Sequence, residues 1–200
     1  MATATVPPRM MNEAQAQQNA GRNIQCAVLD DGEIALVRVG GRANFMNSLP
    51  LKKFAATISE AIAKPRFIVD LHECESMDST FMGVLAGICI TLSQKGAPRM
   101  IVLNANEHCC RLLKNLGLTH LLELRKEGDI PALNVTDADF QEAGPTQITR
   151  TEQICLTLQA HKDLVRIDGG NEVRFQAVIE YLEESLNKEG APCPPDKKPE

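Results

Sequence analysis

Hydrophobic and polar positions follow two different periods along this chain, and the changes of period mark out its elements. Ile24 to Leu29 and Glu33 to Val39 are apolar, β-rich runs separated by Asp30-Asp31-Gly32. Asp-Gly between two such runs predicts a hairpin of antiparallel strands. After Gly40-Gly41-Arg42 the period becomes helical: Leu51, Phe54, Ala55, Ile58 and Ile62 fall on one stripe, with Ser48 the expected cap and Lys64-Pro65 the stop. Arg66 to Leu71 then reads as a short strand buried on both faces. A second helix is expected from Ser79. Phe81, Leu85, Ile88 and Leu92 recur at helical spacing along it, and Gly83, Ala86 and Gly87 leave its surface thin enough for a neighbouring backbone to approach closely. Lys95-Gly96-Ala97-Pro98 ends it.

Arg99 to Leu103 predicts another buried strand. Asn104 or Asn106 can cap the helix that follows, which carries Leu112, Leu113 and Leu116 and closes at Asn115-Leu116-Gly117. Leu121 to Leu124 is the last short strand. Strands alternating with helices imply right-handed crossovers onto a mostly parallel sheet. The expected fold class is therefore α/β: a sheet of four to five mixed strands with helices, plus a C-terminal helical hairpin. In that hairpin Ile154, Leu158, His161 and Val165 share one helical face, Asp168-Gly169-Gly170-Asn171 turns the chain, and Phe175, Val178, Ile179, Leu182 and Leu186 line the second helix, with Asn171 its cap. The spacing leaves three roles open for it: covering a face of the sheet domain, dimerising, or recruiting a partner.

Composition adds boundaries to this pattern. With 44% hydrophobic residues, the 200-residue chain is long enough for one main core and appendages. Residues 1–23 are rich in Ala, Gln and Asn and read as a disordered arm, 24–125 as the α/β domain, 126–150 as a linker with at most one helical turn, 151–189 as the hairpin, and 190–200 as a disordered tail. From Ile24 to Arg125 there are eleven Lys/Arg and ten Asp/Glu, against eight and fifteen beyond, so the carboxyl half carries the acidity. Without a basic stripe, direct nucleic-acid binding is not expected. No run approaches the length of a membrane span. Seven cysteines, an odd count in a chain without an export signal, point to reduced thiols and a cytoplasmic location.

The candidate chemistry concentrates where the strand from Arg66 gives way to the helix from Ser79. In Met77-Asp78-Ser79-Thr80-Phe81-Met82-Gly83, Asp78 and Ser79 stand at the helix start, where unpaired N–H groups and the positive end of the dipole favour oxygen ligands and tolerate an added anion. This stretch resembles the phosphorylated segment of the STAS family of bacterial anti-sigma factor antagonists, whose pattern is Met-Asp-Ser-Ser/Thr-Gly-Leu-Gly after a buried strand. Met82 replaces the family's Leu, and Phe81 stands where the family has Gly. Asn104 and Leu116-Gly117-Leu118 match two further hallmarks, so the resemblance runs from Ile24 to about Leu124.

The resemblance implies a STAS-like fold and a protein that acts by binding rather than catalysis, with no cofactor and no metal. It implies Ser79 as the phosphate acceptor, Thr80 as a secondary one, and Asp78, Ser79, Thr80, Phe81, Met82 and Gly83 as the partner-binding face. The unphosphorylated form would bind an anti-sigma factor that is also a serine/threonine kinase, releasing a sigma factor, and a phosphatase would reset the cycle. ATP belongs to the kinase. The alternative is a scaffold STAS subunit of a signalling or lipid-transport complex, with self-association through the hairpin. A thiol or metal enzyme is the third reading: His72, Cys74 and His108-Cys109-Cys110 invite it, but there is no Cys-x-x-Cys and nothing in the spacing joins the two clusters. Ser79 lacks the nucleophile elbow of a hydrolase, and His161 reads as a packed or boundary residue.

Overall fold

A computed structural model describes residues 24–29, 33–133, 135–142 and 148–190. The Asp30-Asp31-Gly32 turn, the amino-terminal arm and the tail beyond Gly190 lie outside the described residues. β1 (Ile24–Leu29) and β2 (Ile34–Val39) pair antiparallel, Ile24 opposite Val39 and Leu29 opposite Ile34. β4 (Arg66–Asp70), β6 (Met100–Leu103) and β7 (Leu122–Arg125) then add in parallel, giving a mixed sheet in the order β7-β6-β4-β2-β1.

This sheet has one strand more than the four to five expected. β8 (Gln141–Glu142), from the segment read as a linker, pairs antiparallel with β1 as the sixth strand. Two residues carry too little periodicity to be recognised in sequence. A separate two-stranded ribbon forms where loops were expected: β3 (Gly41–Ala43) runs parallel to β5 (Cys74–Met77), with Ala43 opposite Met77. The ribbon brings the chain entries to two helices side by side.

Those helices are α1 (Phe45–Ala61) and α2 (Ser79–Gln94); α3 (Glu107–Asn115) follows β6. Ser48 does not cap α1. Asn44 does: its side chain accepts from Met46 N–H at 2.9 Å while Asn47 Oδ1 accepts from Asn44 N–H at 3.1 Å. The helix thus starts one turn earlier than expected, and Ser48 is buried with its hydroxyl donating to the Asn44 carbonyl at 3.0 Å. Asn106 caps α3 by accepting from Cys109 N–H at 2.8 Å.

Alternation along the central strands divides the core between the two faces of the sheet. Phe67 and Val69 meet all three helices in one cluster, whereas Ile68 joins Ala27, Ile34, Leu36 and Leu103 on the other face. That second face is covered by the expected linker: Ile130, Leu133, Val135 and Phe140 pack against it. Arg38 holds this cover in place, its guanidinium 4.0 Å from the Phe140 ring centroid and 2.8 Å from Asp137 in a short helical turn.

α4 (Arg150–Ile167) and α5 (Asn171–Glu189) form the helical hairpin. Thr149 and Glu152 close a capping box at its entry, and the backbone N–H that Glu152 accepts holds its carboxyl below the usual range. Asn171 is the first residue of α5 rather than its side-chain cap. Its buried amide instead donates to the carbonyls of Leu164, 2.8 Å away in α4, and Leu116, 3.1 Å away at the end of α3. A buried amide without such acceptors would cost its full desolvation, so these bonds fix the hairpin's turn on the α/β half.

Candidate functional site

Asp78 joins two helices. Its Oδ1 accepts from Phe81 N–H at 2.8 Å, capping α2, and its Oδ2 accepts from Phe45 N–H at 3.0 Å, at the first turn of α1. Asp78 N–H donates to Ala43 in the ribbon at 2.9 Å. The carboxylate therefore faces the positive ends of two helix dipoles. Both its oxygens are engaged in holding the turn.

Ser79, the next residue, opens α2 and is half-buried. Its Oγ lies 3.0 Å from His161 Nε2, across 82 positions of sequence. His161 Nδ1 is 2.7 Å from the Thr157 carbonyl one turn back along α4. A carbonyl only accepts, so the hydrogen-bond network assigns the proton to Nδ1; in the neutral ring Nε2 then accepts from the Ser79 hydroxyl. The Phe175 ring from α5 stands edge-on to the imidazole at 4.9 Å, and His161 is only 3% exposed.

One turn beyond Ser79, the two backbones touch. A Cβ on Gly83 would sit 2.3 Å from the Ala160 carbonyl oxygen and 2.7 Å from the Ala160 Cβ, distances no side chain can occupy. At Gly87, another turn on, a Cβ would lie 2.7 Å from Asp163 Oδ2. Ser79, Gly83 and Gly87 thus form a shallow groove along α2 in which α4 lies. Leu156, Ala160 and Leu164 of α4 complete the main core there.

Of the six residues expected to form a partner face, the structure leaves Asp78 and Ser79 half-buried and buries Thr80, Phe81, Met82 and Gly83. Phe81 and Met82 point into the main core; Gly83 lies under Ala160. The pairing of Ser79 with His161 escaped the sequence reading. A signal was present in α2: apart from Ser79, Thr80, Thr91, Ser93 and Gln94 it has no polar residue, and a helix apolar all round is covered on all sides.

The cysteine clusters are nearer than their spacing implied. Cys109 Sγ lies 3.8 Å from the Cys74 carbonyl, and Asn106 Nδ2 donates to the same oxygen at 2.7 Å. His72 and His108 are exposed, and no group of three His, Cys, Asp or Glu among the described residues is placed to hold a metal ion. Burial pushes the Cys26, Cys74 and Cys89 thiols up to about 12, and Cys109 upward as well, away from the thiolate a nucleophile needs. The expectation of reduced thiols holds at Cys26, Cys74, Cys89, Cys109 and Cys110, but Cys155 is disulfide-bonded.

Ser79, His161 and the Thr157 carbonyl provide a hydroxyl, a base and its orienting acceptor. The groove of about 990 Å³ between α1, α2 and α4 is lined by Lys52, Val84, Gly87, Lys95, Asp163 and Arg166 among others, and includes neither Ser79 nor His161. No helix among the described residues is long and apolar enough to cross a membrane.

No family model matches the chain, and a search of the curated proteins finds no match. Among solved structures, the chain is similar to a candidate anti-sigma factor antagonist of Thermotoga maritima, at 20% identity over 54% of this chain and 89% of that one, with a TM-score of 0.44. It is also similar to the anti-sigma factor antagonist SpoIIAA in its unphosphorylated form, at 18% identity over 55% of this chain and 89% of that one, TM-score 0.42. The phosphorylated form of SpoIIAA, the Bacillus cell fate determinant, matches at 18% identity over 53% of this chain and 94% of that one, TM-score 0.43.

Proposed function

We propose that this chain is a non-catalytic regulatory binding protein of the anti-sigma factor antagonist type, acting in the cytoplasm and switched by phosphorylation at Ser79. The observation that carries the reading is the setting of Ser79: the first residue of a helix, directly after a capping Asp78 whose carboxylate ties two helix starts together. A phosphate there would add a charge of about −1.5 to −2 at the positive end of α2, where the fold tolerates it and a docking surface does not. The partner in this reading is an anti-sigma factor with serine/threonine kinase activity, to which the ATP belongs, and a phosphatase resets the cycle. Thr80, buried beside Ser79, is the poorer acceptor.

Phosphosite mapping by mass spectrometry, on the protein taken from its native cells under growth and under stress, tests this. Condition-dependent phosphate on Ser79 is the expected result. Absence of phosphate at Ser79 and Thr80 in every state would overturn it.

A second reading has one observation in its favour. Thr80, Phe81, Met82 and Gly83 are buried under the chain's own helices, which suits a scaffold subunit that presents other surfaces and has no phosphorylation cycle. Equal partner binding by the wild type, Ser79→Ala and Ser79→Asp forms would favour the scaffold.

A further inference from the structure

The bond at Cys155 needs a second sulfur, and the chain has only one to offer. Of its seven cysteines, Cys26, Cys74, Cys89, Cys109 and Cys110 are free thiols, and Cys155 is disulfide-bonded. The seventh is Cys193, three residues past Gly190 and outside the described residues. The odd count thus resolves into five thiols and one pair.

The open end of the hairpin puts this pairing within reach. Glu189, at the end of α5, accepts from the Thr151 hydroxyl at 2.7 Å and meets Arg150 at 3.0 Å, so the end of α5 lies beside the first turn of α4. Cys155 stands one turn further along α4, a rise of about 6 Å from Thr151. Gly190 closes α5 in the left-handed region, φ 65°, which carries the chain off the helix axis. Three residues from there span at most about 10 Å, enough to bring a side chain to that turn. The Cys155 side chain lies in the cluster between the two helices, with Ile154, Leu158, Leu182 and Leu186, while its neighbour Leu156 belongs to the main core.

We propose that Cys155 and Cys193 form a reversible disulfide, a thiol–disulfide switch that ties the carboxyl-terminal tail across the open end of the hairpin. A chain with five free thiols suits a compartment rich in small thiols, where a bond of this kind exchanges rather than persists. The reactant is a small thiol of the glutathione class. Its thiolate attacks the Cys193 sulfur, because Cys155 is only 8% exposed within an apolar cluster, and Cys155 departs as a thiolate that takes up a proton. A second small thiol attacks the small-molecule sulfur of the mixed disulfide and frees Cys193. The products are two protein thiols and one small disulfide, and oxidation by that small disulfide reverses each step. Reduction does not dismantle the hairpin, since a free Cys155 packs as a small hydrophobe among Ile154, Leu158 and Leu182. What it removes is the covalent closure of α4 and α5 into one loop. Nothing in this switch rests on Ser79.

The intact chain, equilibrated against mixtures of reduced and oxidised glutathione, tests the switch. Free thiols are trapped with iodoacetamide in denaturant and the peptides are mapped by mass spectrometry. At the oxidising end the expected result is the Cys155 peptide joined to the Cys193 peptide within one chain; at the reducing end both carry the alkyl label, and the passage runs both ways. Cys193→Ser leaves Cys155 in its cluster and serves as the permanently reduced form. Its melting temperature should match that of the reduced wild type and fall about 5 °C or more below that of the oxidised one. Cys155 joined to another cysteine or to a second chain, or free at the oxidising end, would overturn the pairing. A link that survives at the reducing end makes the bond a fixed staple and rules out the switch. Equal melting of the oxidised wild type and Cys193→Ser would show that the bond closes nothing in the hairpin, and the tether would be abandoned.

Discussion

The α/β half and the hairpin bury their apolar surface in different ways. In the α/β half, clusters lie on both faces of a six-stranded sheet, and large side chains such as Phe67, Phe81, Leu85 and Leu118 are fully enclosed. The hairpin has one small cluster between its two helices and a surface of charges in which Lys162 meets Glu183 at 2.7 Å and Arg150 meets Glu189 at 3.0 Å. Such exposed pairs contribute about 0–1 kcal/mol each. What docks the hairpin is the burial of Leu156, Ala160 and Leu164 of α4 in the main core, together with close backbone approach at Gly83 and the buried His161 and Asn171 bonds. The difference shows that a layer with only a small cluster of its own can still be fixed by the residues it lends to its neighbour's core.

Substitutions at chosen depths break this comparison in graded ways. The largest effect is expected from Phe81→Ala, which empties a fully enclosed site of the α/β half; a loss of about 3–5 kcal/mol in urea unfolding, with both halves melting together, is the expected outcome. Gly83→Ala comes next. Its methyl group would collide with the Ala160 carbonyl, and overpacking of this kind costs about 1–3 kcal/mol; proteolysis should find the hairpin loosened first while the sheet keeps its circular dichroism. Asp78→Ala removes the acceptor for Phe81 and Phe45 N–H groups, and a melting shift worth about 1–2 kcal/mol follows from the lost cap.

The last effect appears only in alkali. Burial raises the Cys26, Cys74 and Cys89 thiols from 9.0 to about 12, so the folded state favours their neutral form. Their contribution to stability is present below 9 and is lost as the pH climbs toward 12. All three lie in the α/β half, so alkaline titration should weaken that half selectively, and Cys89→Ala should flatten the decline.

Much of the α/β half was legible in the sequence because its periods are clean. Phe67-Ile68-Val69 announces a strand covered on both sides, and Asp78-Ser79 announces a helix start; both stand where the pattern placed them. Local patterns failed where a tertiary contact took over. Asn171 reads as a cap but is spent on the Leu116 and Leu164 carbonyls, Ser48 is displaced as a cap by the Asn44–Asn47 pair one turn earlier, and Gln141–Glu142 become a strand only because β1 offers an edge. The meeting of Ser79 and His161 was illegible for the same reason: 82 residues separate them, and no local rule reaches that far. The apolar run of α2, with glycines every fourth residue, carried the trace of a covering helix without saying which helix covers it.

Hydrogen exchange on the intact, unmodified chain addresses the central claim most directly, because it reads both halves at once. The account predicts that the amides of α4 exchange as slowly as those in β4 and β6, because Leu156, Ala160 and Leu164 belong to the main core, while the more exposed α5 exchanges ahead of them. Exchange of α4 together with α5 and well ahead of β4 would contradict it: the hairpin would then be a separable layer, and the burial of Leu156, Ala160 and Leu164 would not tie it to the core.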